Sequence, residues 1–309
     1  MVRKLNLSTS VYDYIKHIVP QERIFLAEPM SRHTTFRVGG EAECLILVEH
    51  EEELIKFVPY FNQVGQDYFI LGNGSNLLVG DKGYKGVVLK LGNGMNKITV
   101  QGNRICVQAG ALLSKTAAAA RDAGLTGLEF AAGIPGSVGG GIVMNAGAYD
   151  GEMKQITESV RVMDNEGTIL ILDNDTMEFG YRTSVVKNRP FTVLEAVLSL
   201  QTGEKKAIQA KMDELMAKRQ SKQPLNYPSA GSTFKRPEGH YAGKLIMDSG
   251  MRGYSIGGAR VSDKHCGFII NTGNATASDI KEVIEEVQER VKERCQVSLE
   301  PEIVFLGDF

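Results

Sequence analysis

The sequence predicts an α+β protein with a strand-rich part over residues 1–203 and a helix-bracketed part over residues 204–298. Two observations indicate this division. In the first part, short apolar runs typical of buried strands recur between turns that are rich in glycine and asparagine. The second part begins and ends with long amphipathic helical patterns. The expected boundary between the two parts is Thr202-Gly203-Glu204.

The elements before this boundary follow from the spacing of apolar residues. Helical spacing predicts helices over 9–19 and 51–64. An alanine-rich run that opens after Gly110 and closes at Gly124 predicts a third helix, because glycine ends helices. Short apolar runs predict strands over 44–48, 68–71, 87–91, 98–100, 105–107, 156–163, 168–172 and 191–200.

Two long helices and a strand follow the boundary. Residues 204–222 predict a charged helix with one apolar face, formed by Ile208, Met212, Leu215 and Met216. Residues 277–295 predict a second such helix, whose inward face is Ile280, Val283, Ile284, Val287 and Val291. A final strand over 303–306 follows Pro301.

The composition limits the function classes. The 309 residues are 42% hydrophobic and 23% charged, and their net charge of −2 argues against non-specific nucleic-acid binding. No apolar run reaches the roughly 18–20 residues of a membrane span, and the N-terminus lacks the apolar core of a signal peptide. No Cys-x-x-Cys spacing occurs among Cys44, Cys106, Cys266 and Cys295. We therefore expect a cytoplasmic protein with reduced thiols, no membrane partner and no metal site.

The most informative stretch is residues 131–151, which contain seven glycines among apolar residues such as Ile134 and Val138. Glycine lets another group lie against the main chain. The stretch therefore predicts either backbone amides packed around a phosphate-bearing ligand or a tight crossing of strands and turns in a β-rich core. The stretch alone favours neither reading.

A second glycine motif is Gly72-Asn73-Gly74-Ser75-Asn76, which follows an apolar strand. It is not a dinucleotide fingerprint, because Leu77 occupies the position of the third glycine and no clear helix follows. The motif is either a β-turn or a phosphate-contacting loop of another fold. A P-loop pattern is also missing, which disfavours phosphoryl transfer of that type.

Polar side chains in three shorter motifs could carry chemistry. Arg182, after Tyr181, is a surface charge or a group that polarises a carboxylate or enolate. Ser232 lies among small residues and precedes Lys235 and Arg236; without a nucleophile elbow it is a turn serine or a proton donor. The motif Leu299–Ile303 puts a carboxylate at the start of the last strand, either on the surface or held for acid–base work.

The pair Lys264-His265 precedes a predicted strand over 267–271. It could bind phosphate, whereas a metal site lacks a third ligand at a useful spacing. Because the five histidines are scattered along the chain, we favour a structural His265.

Taken in order, these motifs resemble the UDP-N-acetylenolpyruvoylglucosamine reductases of bacterial peptidoglycan synthesis. The resemblance covers roughly residues 30–307, and the long glycine block is its most specific part. The matching stretches are His33–Gly40, Leu71–Val79, Gly127–Phe130, Ile134–Gly139, Asn145–Tyr149, Tyr181-Arg182, Ala230–Pro237, Val261–Asn271 and Leu299–Leu306.

The resemblance implies a two-lobed FAD-binding module of the vanillyl-alcohol-oxidase/PCMH type with a C-terminal α+β substrate domain. It implies a first lobe over 1–92, to which 299–309 return, a second lobe over 93–203 and a substrate domain over 204–298. This fold is not a Rossmann domain, which accounts for the incomplete fingerprint at Gly72.

The resemblance also implies non-covalent FAD, with NADPH as co-substrate. His33 stands where the family leads us to expect Asn, and we do not interpret it as a covalent flavin attachment. The implied cofactor-binding residues are Gly72, Asn73, Gly74, Ser75, Asn76, Gly133, Ile134, Pro135, Gly136, Ser137, Gly139, Asn145 and Gly147.

Three residues match the family's catalytic groups. Ser232 matches the serine that protonates the α-carbon after hydride reaches the enolpyruvyl β-carbon. Arg182 and Glu302 match the pair that stabilises the enolate-like intermediate. Glu300 is the alternative to Glu302, since residues two apart in a strand face the same way; the register of the motif favours Glu302.

The implied substrate is a UDP-sugar. Lys222 and Arg236 are candidates for its phosphates, Lys264 is a weaker one, and Tyr149 could cover the uridine. The chain departs from family members with an inserted tyrosine loop, because Leu200 leads directly to Glu204 with no tyrosine before Tyr227. It therefore resembles the shorter subclass.

Two other functions remain open at this point. An FAD oxidase of the same fold would not consume NADPH steadily, and the serine loop and Glu302 weigh against it. A non-catalytic nucleotide-sugar or flavin-binding protein would be unaffected by loss of Ser232. Nothing in the sequence requires more than a monomer.

Overall fold

A computed structural model describes residues 7–92 and 94–309. Residues 1–6 and Asn93, which the predicted segments include, lie outside the described residues. The helices are α1 Thr9–Ile18, α2 Glu51–Val64, α3 Leu113–Asp122, α4 Val138–Val143, α5 Val185–Asn188, α6 Lys205–Lys222, α7 Ala242–Asp248 and α8 Ala277–Cys295.

Eighteen strands accompany these helices in the described part of the chain. They are β1 Ile24–Pro29, β2 Glu41–Val48, β3 Tyr68–Leu71, β4 Leu77–Val79, β5 Tyr84–Leu91, β6 Ile98–Gln101, β7 Arg104–Gln108, β8 Leu125–Thr126, β9 Gly147–Ala148, β10 Gly151–Glu152, β11 Thr157–Met163, β12 Ile169–Asp173, β13 Thr192–Ser199, β14 Gln201–Thr202, β15 Ser255–Ile256, β16 Ala259–Val261, β17 Ile269–Asn271 and β18 Val304–Leu306.

The chain forms two compact units, each built from several separate segments. The first unit comprises Met1–Leu26, Cys44–Asn73 and Gly86–Lys218, and the second comprises Ala27–Glu43, Gly74–Lys85 and Arg219–Phe309. These units cut the chain differently from the predicted segments 1–92, 93–203 and 204–298. That three-part assignment by function stays a prediction.

The first unit contains a five-stranded antiparallel sheet in the order β12-β11-β13-β7-β6. Its strand β3 pairs in parallel with β5. Apolar side chains from the sheet and from α2 and α3 form one core, in which Phe57, Val107 and Leu194 are fully buried. Helix α2 has a capping box of His50 and Glu53 at its start and is followed by the C-cap Gly65, whose φ of 67° suits glycine without strain.

The second unit is built around α8 and two small sheets. Strand β4 pairs in parallel with β18, and β15, β16 and β17 form an antiparallel sheet. Thr276 and Asp279 form a capping box at the start of α8, and Asp81 accepts the Ala277 and Ser278 N–H groups at 2.8 Å each. The capping groups satisfy the first turn of the helix.

Among the residues with described structure, no helix is both long enough and apolar enough to cross a membrane.

Candidate functional site

The glycine block forms a loop and the short helix α4 in the first unit. The Gly139 N–H donates to the Ala109 carbonyl at 2.8 Å, and a Cβ on Gly139 would lie 2.9 Å from the Ala109 Cβ. Val138 donates to the Ala111 carbonyl at 2.7 Å. Close packing against the end of β7 therefore requires Gly139, whatever else the block does.

Two predicted cofactor loops meet in the first unit. A Cβ on Gly72 would lie 2.2 Å from the Ser137 Oγ, so only glycine fits at position 72 while Ser137 keeps its place. The Asn73 Nδ2 donates to the Pro135 carbonyl at 2.6 Å. Ser137 in turn caps α4, because its Oγ accepts the Gly140 N–H at 3.3 Å. The structure thus brings Gly72 and Asn73 of the shorter glycine motif into contact with Pro135 and Ser137 of the long glycine block.

Arg182 is held against the glycine block by side-chain and backbone contacts. Its Nη2 donates to the Gly147 carbonyl at 3.2 Å, and the Asn145 Nδ2 donates to the Gly180 carbonyl at 3.0 Å. Asn145, Tyr149 and Arg182 all have positive φ, at 41°, 52° and 56°. Such backbone strain in residues other than glycine is concentrated at functional sites. These three residues are among those that the sequence singled out.

In the second unit, Gly74 and Asn76 are fixed by neighbouring backbone. Gly74 has a φ of 63°, and a Cβ there would lie 1.9 Å from the His33 carbonyl oxygen. The Asn76 Nδ2 donates to the Glu302 carbonyl at 3.1 Å, and the Val304 N–H donates to the Asn76 carbonyl at 2.9 Å. This end of the loop is therefore joined to the segment before β18 that carries Glu302.

Backbone hydrogen bonds bring the Ser232 loop and the Glu302 segment together. The Glu302 N–H donates to the Thr233 carbonyl at 2.8 Å, and the Thr233 N–H donates to the Gly267 carbonyl at 2.8 Å. The Ser232 hydroxyl donates to the Phe234 carbonyl at 3.2 Å. A hydroxyl and a carboxylate are thus carried by adjoining segments, and their part in acid–base chemistry stays a prediction.

The two glutamates at the last strand have different surroundings. Glu300 has a side chain that is 68% exposed and pairs with the Lys235 ammonium. Exposed ion pairs of this kind contribute little to stability. Glu302 is half-buried. This difference agrees with the preference for Glu302, whose role stays a prediction. Lys235 had no predicted role of its own.

His265 lies beside the same serine loop. Its Nδ1 accepts the Gly267 N–H at 3.1 Å, and its ring packs edge-on against Phe268 at 5.0 Å between centroids. Burial lowers the pKa of His265, and the Lys222 ammonium lowers this pKa further. The sequence analysis favoured a structural His265 and missed Gly267, because a backbone hydrogen bond leaves no side-chain pattern to read.

The predicted substrate-binding side chains have their own contacts. The Arg236 guanidinium stands 4.0 Å from the Tyr241 ring centroid, and its Nε donates to the His240 carbonyl at 3.2 Å. The Lys264 Nζ donates to the Gln220 carbonyl at 2.5 Å, at the end of α6. Lys222 and Tyr149 are exposed. No contact here tests substrate binding, so all four assignments stay predictions.

Two family profiles match the chain. The profile described as the C-terminal domain of UDP-N-acetylenolpyruvoylglucosamine reductase matches residues 223–306, and one described as an FAD binding domain matches residues 42–173. The predicted α+β class and the predicted FAD-binding module are confirmed by these matches and by the mixed helix and strand content, and the vanillyl-alcohol-oxidase/PCMH type of that module stays a prediction.

Similar proteins cover nearly the whole chain. The UDP-N-acetylenolpyruvoylglucosamine reductase of Caldanaerobacter subterraneus is 52% identical over 96% of this chain and 98% of the relative. That of Clostridium perfringens strain SM101 is 49% identical over 98% and 99%. The crystal structure of the Thermus caldophilus reductase has a TM-score of 0.79 and 36% identity, covering 92% of this chain and 98% of that one.

Proposed function

The chain belongs to the UDP-N-acetylenolpyruvoylglucosamine reductase family, and on this basis we propose that it is an NADPH-dependent flavoenzyme. Its proposed reaction converts UDP-N-acetylenolpyruvoylglucosamine to UDP-N-acetylmuramate for bacterial peptidoglycan synthesis. The family gives the reductase role and the FAD-binding domain. NADPH as the reductant and the residue roles below are the finer parts of the proposal.

The fit of FAD rests on close approaches of backbone in both glycine motifs. A Cβ on Gly72 would meet Ser137 and one on Gly74 would meet His33, so glycine at both positions lets the loop pack closely against these residues and holds its backbone amides in place. Backbone amides in such loops bind phosphates well. The residues proposed to hold FAD without a covalent bond are Gly72, Asn73, Gly74, Ser75, Asn76, Gly133, Ile134, Pro135, Gly136, Ser137, Gly139, Asn145 and Gly147.

Bound FAD would take hydride from NADPH and supply it to the enolpyruvyl β-carbon. Ser232 gives the proton that the α-carbon requires, and its loop is tied to the Glu302 segment for this purpose. Arg182 offsets the negative charge that develops on the substrate carboxylate, and Glu302 shares a proton with the same group. Positioned groups of this kind typically contribute about 3–4 kcal/mol of transition-state stabilisation each.

The UDP-sugar needs cations for its phosphates, which the proposal assigns to Lys222 and Arg236. Arg236 is already oriented by the Tyr241 ring. Lys264 is the weaker candidate, since its ammonium bonds the end of α6. Tyr149 is proposed to cover the uridine in place of the missing tyrosine loop. The division into FAD and substrate domains, a monomeric state and a cytoplasmic location complete the proposal.

The observation that carries the proposal is the hydrogen-bonded pairing of the Ser232 loop with the Glu302 segment. An anaerobic absorbance experiment tests the whole reaction. We expect a yellow protein that bleaches with NADPH and regains colour only with UDP-N-acetylenolpyruvoylglucosamine. A protein that stays colourless after incubation with excess FAD would refute the flavoenzyme assignment, and bleaching by an alcohol followed by recolouring with oxygen would favour the oxidase.

Gly72→Ala is expected to weaken FAD binding at least tenfold. The new Cβ would lie 2.2 Å from the Ser137 Oγ and displace it. Ser137 is a proposed FAD residue and caps α4, so its displacement disturbs the loop proposed to hold FAD, and overpacking of this kind costs about 1–3 kcal/mol. Fluorescence titration of the apoprotein with FAD measures the change.

Two further variants sharpen this test. Gly92→Ala is the matched control, because a Cβ there meets no atom within 4 Å. Adding Ser137→Ala to Gly72→Ala removes the clashing oxygen and leaves the Ser137 Cβ at 3.3 Å, so part of the affinity should return. Equal loss in the single and double variants would show that the contact with Ser137 is not the cause.

A further inference from the structure

We propose that His265 positions Ser232 and Glu302 for proton transfer through the hydrogen bond that its Nδ1 accepts from the Gly267 N–H. This inference deepens the proposed function and rests on it for the roles of Ser232 and Glu302. His265 is a positioning residue in this proposal, since it acts through backbone and not on the substrate.

A continuous series of hydrogen bonds leads from the imidazole to both residues. The Gly267 N–H donates to the His265 Nδ1 at 3.1 Å. The Thr233 N–H, which belongs to the peptide group following Ser232, donates to the Gly267 carbonyl at 2.8 Å. The Glu302 N–H donates to the Thr233 carbonyl at 2.8 Å. A shift of Gly267 therefore moves the backbone on which the hydroxyl and the carboxylate are mounted.

The imidazole and the serine hydroxyl also border one small space. A Cβ on Gly267 would lie 3.0 Å from the His265 Cε1 and 3.5 Å from the Ser232 Oγ. The same edge of the ring approaches α7, where a Cβ on Gly243 would lie 3.3 Å from Cε1 and 3.2 Å from the Gly267 nitrogen. The Cε1–Nδ1 edge of the ring is thus packed against both glycines, with Nδ1 facing Gly267.

The hydrogen bond exists only while Nδ1 carries no proton. Burial lowers the pKa of His265, a hydrogen bond with its own backbone raises this pKa by less, and the Lys222 ammonium lowers it, so the neutral imidazole is favoured at neutral pH. Because Nδ1 accepts the Gly267 N–H, the ring proton is on Nε2. Two other charged groups lie on α7, Lys244 and Asp248, and they pair with each other. Two more lie on the histidine's own loop. Of these, Lys264 donates to the Gln220 carbonyl and Asp263 lies near Arg260.

Acidification should break the series at its first bond. A protonated His265 would present an Nδ1–H group to the Gly267 N–H, and two donors cannot bond each other. Because the pKa is lowered from the ordinary value of about 6.5, the bond persists through neutral pH and is lost only below that value. The proton-transfer half-reaction should therefore slow on the acid side.

Amide NMR tests the positioning without any turnover. In the FAD-bound protein, the ¹⁵N–¹H signals of Gly267 and Thr233 should shift with one common midpoint below about pH 6.5. In His265→Asn, the amide oxygen can still accept the Gly267 N–H but does not titrate, so this common shift should vanish. The proposal is wrong if the Gly267 signal still titrates with that midpoint in His265→Asn, or if it is pH-independent in the parent.

Single-turnover kinetics test the consequence for the reaction. Reoxidation of the NADPH-reduced flavin by UDP-N-acetylenolpyruvoylglucosamine should slow about tenfold in His265→Ala, the loss expected for one positioning hydrogen bond. His265→Asn should recover to within about threefold and lose the acid limb of its pH profile. Flavin reduction by NADPH and FAD content should stay at parent values in both variants. His17→Asn, on exposed helix α1, is the control.

The two proposals fail in different ways. If the parent's reduced flavin is not reoxidised by this substrate, the proposed function fails, and the NMR titration still decides the positioning. If the parent reacts and His265→Ala reoxidises at the same rate, the positioning role of His265 is wrong while the proposed function stands.

Discussion

Ser232→Ala is expected to lower turnover by about 10²–10⁴-fold, the usual contribution of a general acid, while FAD stays bound and reducible. In the described part of the chain the hydroxyl donates to a backbone carbonyl, at 3.2 Å, so its removal leaves no buried charge behind. The substitution also leaves both backbone hydrogen bonds of Thr233 in place, the one to the Gly267 carbonyl and the one from the Glu302 N–H. Steady-state NADPH consumption with UDP-N-acetylenolpyruvoylglucosamine measures the loss, and the flavin spectrum reports cofactor content.

Two variants control this experiment. Ser229→Ala removes a serine three positions earlier in the same loop and should keep parent turnover. Ser232→Cys keeps an exchangeable proton on a more acidic atom and should recover part of the rate. If Ser232→Ala turned over normally, Ser232 would not be the proton donor, and a non-catalytic role for the loop would gain support.

Glu53→Ala is expected to destabilise the protein by about 3–5 kcal/mol, the usual penalty for stranding one member of a buried ion pair. Arg23 and Glu53 are only 12% and 7% exposed, and their side chains form a two-point pair at 2.7 and 3.1 Å. Glu53 also accepts the Glu49 N–H at 2.9 Å at the start of α2. Urea unfolding of the apoprotein, followed by circular dichroism, measures the change.

Glu49→Ala is the matched control on the same arginine. Glu49 contacts the Arg23 guanidinium at 3.4 Å but is 44% exposed, so its loss should cost less than about 1 kcal/mol. If Glu53→Ala lowers the free energy of unfolding by no more than Glu49→Ala does, Arg23 is adequately solvated without its buried partner.

The long amphipathic helices could be predicted from the sequence, and the helix within the glycine block could not. Helices 51–64 and 277–295 have the predicted ends, because their apolar periodicity and caps agree. Helix α4 contains Gly139, Gly140 and Gly141, and each glycine is about 1 kcal/mol less favourable in a helix than alanine. Packing against Ala109 and Leu113 decides the structure there, and no local pattern reports it.

The sequence predicted the side chains of the candidate site but not the backbone hydrogen bonds that connect them. Motif order singled out Ser232, Arg182 and Glu302, and the structure joins the loop of Ser232 to the segment of Glu302. The link from His265 through Gly267 runs along backbone atoms, and backbone hydrogen bonds between distant segments have no signature in one sequence. The positive φ of Arg182 is likewise invisible in the sequence, since arginine has no preference for that conformation.

The parallel pairing of β4 with β18 has a consequence for synthesis of the chain. Leu77–Val79 pairs with Val304–Leu306, so 224 of the 309 residues are translated between the two partners. At about 5–20 residues per second, this interval is on the order of 10–45 s. Throughout that time the apolar strand β4 lacks its neighbour and is a natural target for chaperones. Completion of the second unit therefore waits for the synthesis of β18.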